Sequence, residues 1–191
     1  MLFRSEKKHP DIKILGINKS QDAQDSVTVL AQNGIKIAVL NYTYGLNGIA
    51  LPSDMPYAVN LLDEEKVKAD IASAKEQSDF VVVCPHWGTE YSLQPDSMEK
   101  KWTKIFAESG ADLVLGTHPH VIEPIERVED ETTGHQMLVY YSLGNFVNWT
   151  SSSGDGITNR MVGGMAEITV GLDEAGRGFI VDYGVNALVT Q

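Results

Sequence analysis

Two uninterrupted apolar runs, Phe80-Val81-Val82-Val83-Cys84 and Leu113-Val114-Leu115, each lead directly into a loop that carries histidine. A β-branched run without polar alternation offers water neither of its faces, so it predicts a strand covered on both sides, as in a parallel sheet. The loops that follow are Pro85-His86-Trp87-Gly88 and Gly116-Thr117-His118-Pro119-His120. Three of the five histidines therefore stand at the carboxyl mouths of two predicted strands. In open α/β sheets, ligands bind at those mouths.

The surrounding segments predict crossover units. Residues 12–17 alternate weakly and read as a short strand. Ser20 can cap a helix whose apolar positions Ala23, Val27, Leu30 and Ala31 follow helical spacing, stopped by Asn33-Gly34. Residues 35–40 form a β-branched strand that opens into a loop over 41–60, rich in Tyr, Gly, Asn and Pro; long loops in compact domains are often functional. Asp63 can cap a helix through Gln77, with Val67, Ile71 and Ala74 on one face. Asp96 and Glu99 have capping-box spacing and head a helix with Met98, Trp102, Ile105 and Phe106 on one face, closed by Gly110.

Strands alternating with amphipathic helices indicate a largely parallel sheet. The pattern then changes: residues 121–128, 136–142, 165–170 and 179–188 read as strands joined by turn-rich segments at 129–134 and 173–178, without helices. The expected fold class is α/β, with parallel βα units in the first half and mostly antiparallel strands in the second. One domain is expected across residues 1–191, with a mobile Ser/Gly-rich loop at 150–156.

A domain of 191 residues should bury roughly 70% of the surface its unfolded chain exposes. With 42% hydrophobic and 21% charged residues and no long uncharged apolar run, no bilayer span is expected. The N-terminal Met1-Leu2-Phe3-Arg4-Ser5-Glu6-Lys7-Lys8 is too poor in apolar residues for a signal peptide, so any export signal is expected outside this sequence. The lone Cys84 excludes an intrachain disulfide and is expected to be a small buried thiol. A net charge of −11 argues against nucleic acid as a partner, because binding a phosphate backbone needs a basic footprint. An anionic substrate would need local positive charge, which bound divalent cations supply.

Neutral imidazole binds borderline divalent metals, and ligands from several strand ends can converge. His118 and His120 could point to one side of an extended segment, or Pro119 could turn the chain so that each faces a different ion; the spacing allows both. Glu90 and Tyr91, just after the His86 loop, are candidates for a catalytic acid and a substrate hydrogen-bond donor. Trp87 is expected to pack beneath the loop, and His9 and His135 to lie on the surface. In Tyr140-Tyr141-Ser142-Leu143-Gly144-Asn145-Phe146 a strand runs into a small polar turn. Gly144 permits close backbone approach, and Ser142 and Asn145 offer hydrogen bonds that could orient a histidine.

Three ordered motifs carry a resemblance: His86-Trp87-Gly88-Thr89-Glu90-Tyr91, then residues 107–120 ending in Gly116-Thr117-His118-Pro119-His120, then Tyr141-Ser142-Leu143-Gly144-Asn145-Phe146. Together with Asn33-Gly34-Ile35-Lys36 and residues 42–48, they resemble the CapA family of capsule and poly-γ-glutamate synthesis proteins, related to calcineurin-like metallophosphatases. The resemblance covers residues 11–190. It implies a metallophosphatase-like α/β sandwich with a dinuclear divalent-metal site (Mn, Zn, Fe or Mg). On that basis His86 and His118 resemble ligands of one ion, His120 a ligand of the other, and Asn145 a neighbour.

The sequence departs from the metallophosphatase pattern before His86, where no D-x-H, G-D and N-H motifs stand in order, and Thr117 replaces the Gly that precedes the H-x-H. The chain thus resembles the C-terminal portion of such a protein, with an arrangement incomplete at its N-terminal side and a sheet edge that a partner or a second copy could cover. The resemblance implies a cell-envelope, extracytoplasmic role. It also implies capsule-synthesis membrane partners or self-association. The expected activity is that of a metal-dependent hydrolase or transferase acting on an anionic envelope polymer or a phosphoester. The alternative is a non-catalytic component that binds polymer during capsule assembly.

Overall fold

The computed structural model describes His9 and residues 12–147 and 156–189. In chain order the elements are α1 (Gln21–Asp25), β1 (Thr28–Gln32), β2 (Ile35–Thr43), α2 (Glu64–Gln77), β3 (Phe80–His86), α3 (Ser97–Ser109), β4 (Leu113–Leu115), β5 (Ile125–Glu129), β6 (Gln136–Tyr140), α4 (Ile157–Arg160), β7 (Val162–Leu172) and β8 (Gly178–Val189). Strands β1 to β6 form one sheet in the order β1-β2-β3-β4-β6-β5, and β7 pairs with β8. The inner strands β2, β3, β4 and β6 run parallel, and the edge strands β1 and β5 pair antiparallel.

The apolar runs are buried on both faces, as their lack of alternation requires. Val81 and Val83 of β3 point into a core shared with Val67, Ile71 and Ala74 of α2 and with Trp102, Ile105 and Phe106 of α3. Phe80 and Val82 point the other way, with Leu113, Leu138 and Tyr140, onto Ala166, Ile168 and Val170 of β7 and Ile180 of β8. The sheet is therefore the middle layer between two helices and a β-ribbon. Each such side chain, fully buried, contributes about 1.5–3 kcal/mol.

Both crossover helices start and stop where their end residues dictate. The Asp63 side chain accepts from Lys66 N–H at the head of α2. The Asp96–Glu99 capping box closes in both directions at the head of α3, and Gly110, at φ 86°, ends that helix in the left-handed region.

The structure corrects several expectations. The helix from Ser20 ends at Asp25, and residues 28–32 form β1 instead, returning through Asn33 (φ 52°) and Gly34 (φ 82°) onto β2 with Gln32 opposite Ile35. Two consecutive positive-φ residues suit a tight hairpin whose twist matches its strands, and Val27 and Val29 reach the core equally well from extended backbone. Residues 12–17 form no strand and contribute one isolated bridge, Ile17 to Val59. The strand expected from residue 121 begins at Ile125. Pro124, which has no N–H to give a ladder, directly precedes it.

His135 is half-buried rather than on the surface, with Nε2 2.6 Å from Ala111 O. Cys84 is half-buried, and burial pushes its thiol up to about 11, leaving it in the inert protonated form. The loop expected at 150–156 lies, through residue 155, outside the described residues. No helix among the described residues is long and apolar enough to cross a membrane.

Candidate metal centre

Parallel pairing of β3 with β4 places both histidine loops at one end of the sheet. The pairing continues past the strands: Thr117 N–H donates to Pro85 O and Trp87 N–H to Thr117 O, each at 3.0 Å. Gly88, at φ 85°, then turns the first loop back, and Tyr91 N–H donates to Pro119 O at 2.8 Å, which brings Glu90 over the H-x-H.

Beneath the loops Trp87 is fully buried, and its Nε1–H donates to Tyr141 O at 3.0 Å. Gly116 lies against that same carbonyl, so closely that a Cβ there would overlap Tyr141 O. The floor of the site is thus backbone packed on backbone, a contact only glycine allows.

One oxygen of Glu90 and one ring nitrogen each of His118 and His120 lie within 4.8 Å of one another. Among the described residues this is the one group of three or more such donors. Two of its members and the residue after Glu90 have positive φ without being glycine: His118 at 110°, His120 at 62° and Tyr91 at 67°. Each such residue costs about 1–3 kcal/mol, and strain of this kind collects at functional sites. Pro119 between the histidines turns the chain, so the H-x-H is a kinked loop and not an extended strand end.

His86 stands beside this group. Its ring lies 4.5 Å from that of His118, centroid to centroid, and the His118 and His120 rings are 5.9 Å apart. Burial and the neighbouring imidazoles His118 and His120 hold His86 below the ordinary histidine range, and Glu90 partly opposes them. Burial likewise lowers His118, against the pull of Glu90. Lowered histidines are neutral at pH 7, the form in which imidazole ligates a metal.

The His120 ring is oriented by Asn145, whose Oδ1 lies 2.9 Å from Nδ1. The Asn145 amide also donates to His120 O at 3.2 Å and to Arg160 O at 3.0 Å, so one side chain ties the H-x-H loop to α4. With Nδ1 engaged, Nε2 is the free nitrogen, and it lies 4.0 Å from Glu90 Oε1. Among the described residues Ser142 makes no hydrogen bond to a histidine: its Oγ accepts Gly144 N–H at 3.1 Å and shapes the turn that presents Asn145.

The Tyr91 ring faces His120 at 5.9 Å, and the Arg160 guanidinium sits 5.0 Å from the same ring. Tyr44 stacks near His86 and His118, at 6.2 and 5.0 Å. Tyr44 and Arg160 were not singled out by sequence reasoning. Tyr44 arrives because its N–H donates to His86 O at 2.9 Å, a consequence of β2 pairing with β3 that no local pattern announces.

Two histidines and a carboxylate, mutually within reach and open on one side, are a donor set that suits a divalent transition metal with free coordination positions. The residues present therefore fit the ion that the motifs imply.

The family model described as bacterial capsule synthesis protein PGA_cap matches residues 4–150. The PGA biosynthesis protein CapA of Bacillus subtilis (strain 168) is 37% identical over 145 residues, covering 73% of this chain and 36% of that protein. The capsule biosynthesis protein CapA of Bacillus anthracis is 28% identical over 151 residues, covering 75% and 35%. The chain thus spans about a third of the length of these curated relatives.

Among solved structures, a putative 5′-nucleotidase from Staphylococcus aureus superposes with a TM-score of 0.54 at 14% identity, over 93% of this chain and 33% of that one. The sulfate thiohydrolase SoxB of Thermus thermophilus superposes at 0.51 and 16%, over 85% and 24%. At such identities the likeness concerns the fold, which is a metallophosphatase-like α/β sandwich. The family match over residues 4–150 and the 37% identity to a curated relative lead to one assignment: the chain belongs to the CapA-type bacterial capsule synthesis protein family.

Proposed function

We propose that this chain contributes a divalent-metal site to a protein of capsule or poly-γ-glutamate synthesis at the cell envelope, and that the site serves hydrolysis or group transfer on an anionic envelope polymer or a phosphoester. The observation that carries the reading is the convergence of Glu90, His118 and His120 at the carboxyl end of the parallel sheet. The relatives' names supply the process, capsule and PGA biosynthesis.

Glu90, His118 and His120 would hold one ion, a grouping that differs from the motif-implied pairing of His118 with His86, and His86, its ring 4.5 Å from that of His118, would face a second ion. A bound ion would act as a Lewis acid, polarising a phosphoryl or carbonyl oxygen and offsetting the negative charge of the substrate. In a chain of net charge −11, that compensation is what lets an anion approach. Asn145 keeps the His120 ring turned with Nε2 outward. Tyr91 and Arg160 form a rim on the His120 side, where the guanidinium can pair with a phosphate or carboxylate.

The test is metal analysis and calorimetric titration of the purified chain with Mn²⁺ and Zn²⁺, followed by hydrolysis of p-nitrophenyl phosphate with each metal. Metal binding that His118→Ala abolishes supports the site. Hydrolysis that follows the metal supports the catalytic reading. Metal binding with hydrolysis equal to that of His118→Ala would instead favour the assembly role, in which the site binds polymer without turning it over.

A further inference from the structure

Beneath the two histidine loops lies a second acidic feature. Glu99, in the first turn of α3, is fully buried, and Glu123, three residues after His120, is 3% exposed. Their carboxyls face each other within hydrogen-bonding reach. Glu99 Oε2 accepts Asp96 N–H at 2.8 Å, but Glu99 Oε1 and both Glu123 oxygens have no partner if both groups are ionised. Two adjacent buried carboxylates cannot both carry charge at modest cost, whereas one proton between them removes a charge and pairs one orphaned oxygen of each group.

The pair also bridges the site's two halves. The Glu99 carboxyl lies flat against Gly88, where a Cβ would come within 2.6 Å of Oε1, so it supports the turn that follows His86. Glu123 belongs to the segment leaving the H-x-H, anchored by Glu123 N–H to Ser142 O at 3.2 Å. We propose that Glu99 and Glu123 share a single proton and act as positioning residues, joining the loop that carries His86 and Glu90 to the loop that carries His118 and His120. The positioning role rests on the metal-centre reading; the shared proton does not.

The charged neighbours decide the direction of its pH response. The Asp96 backbone N–H favours ionisation of Glu99 while the Asp96 charge disfavours that of both carboxyls, Lys100 favours that of Glu99, and Tyr141 feels the Glu99 charge. Burial and Glu99 push Glu123 up to about 8, and burial raises Glu99. A carboxyl raised in the folded state holds a proton that the unfolded chain has lost. Its contribution is present below the unfolded value near 4.5 and is lost as pH rises to about 8.

The experiment compares wild type with Glu123→Gln, whose carboxamide N–H replaces the shared proton, in urea unfolding at pH 5, 7 and 9. The wild-type folding constant should fall relative to the variant by up to about tenfold per pH unit between about 5 and 8, then run level. Parallel curves overturn the shared proton, and Glu99→Gln gives the same comparison should Glu123→Gln not fold. For positioning, Zn²⁺ affinity at pH 7 should drop about 10–100-fold in Glu123→Ala and return in Glu123→Gln. An alanine variant that binds Zn²⁺ as wild type does overturns the positioning role. Loss of Zn²⁺ binding in every form, wild type included, overturns positioning together with the metal-centre reading, while the unfolding curves still decide the proton.

Discussion

Gly116→Ala is the substitution that most directly tests how the site is built. Gly116 N–H donates to Tyr140 O at 2.7 Å, and its own carbonyl accepts Leu143 N–H at 3.3 Å, so the residue is held from both sides between β4 and the segment after β6. A methyl at Gly116 would overlap the Tyr141 carbonyl and come within 2.5 Å of Trp87 Nε1. The first obstacle is backbone, which cannot swing aside as a side chain would. Relief requires moving β4 away from Tyr141, and that breaks the Trp87–Tyr141 hydrogen bond inside a fully buried site.

Overpacking of this kind costs about 1–3 kcal/mol. An orphaned buried donor adds about 1–3 kcal/mol. The expected loss is therefore about 2–6 kcal/mol, a large share of the 5–15 kcal/mol typical of a domain. Urea unfolding followed by tryptophan fluorescence reads it, since Trp87 lies at the clash. Gly134→Ala is the control: at φ 71° with open space around it, it meets only backbone strain, about 1–2 kcal/mol. If Gly116→Ala proves no more costly than Gly134→Ala, the close-packed floor is refuted.

Other perturbations probe the site and its support. His118→Ala and Glu90→Gln should each lower Mn²⁺ or Zn²⁺ affinity in calorimetry by more than the 10–100-fold typical of losing an outer partner, and unchanged affinity in both would remove them as ligands. Asn145→Ala should cost about 10–100-fold in the same titration with little change in the unfolding midpoint, because it frees the His120 ring; Asn145→Asp, which keeps an oxygen toward Nδ1, should recover most of it. Asp112 is pushed up to about 6, by burial above all, so its contribution to stability is present below about 4 and is lost as pH rises to about 6. Asp112→Asn keeps the oxygen that accepts Val81 N–H at 2.7 Å and should flatten the wild-type stability curve across that interval; parallel curves would refute the buried-carboxyl account.

Much of the architecture was legible because the chain states it locally. The unbroken apolar runs of β3 and β4 could be satisfied only by cover on both faces, and the Asp63 and Asp96–Glu99 caps mark helix starts through hydrogen bonds within a single turn. Local signals do not decide where they tie. Residues 27–31 fit helical spacing and strand alternation alike, and the Asn33-Gly34 turn with β2 as a partner decided for the strand. No local pattern marks His135 as half-buried, because its acceptor, Ala111 O, lies in a segment 24 residues away.

By itself, the sequence determined the parallel βα units and the end of the sheet at which His86, His118 and His120 gather, since strand direction follows from alternation of strands with crossover helices; the β7–β8 ribbon as the covering layer came from the fold. Three-dimensional pairing decided the rest of the candidate site. Tyr91 N–H on Pro119 O swings Glu90 over the H-x-H, Asn145 on His120 selects the free nitrogen, and β2 beside β3 brings in Tyr44. Glu99, legible in sequence only as a cap, became half of a buried carboxyl pair because the segment after His120 folds back against α3. Sequence patterns report periodicity and local hydrogen bonding, whereas metal-ligand geometry depends on distances between segments that meet only when the sheet closes.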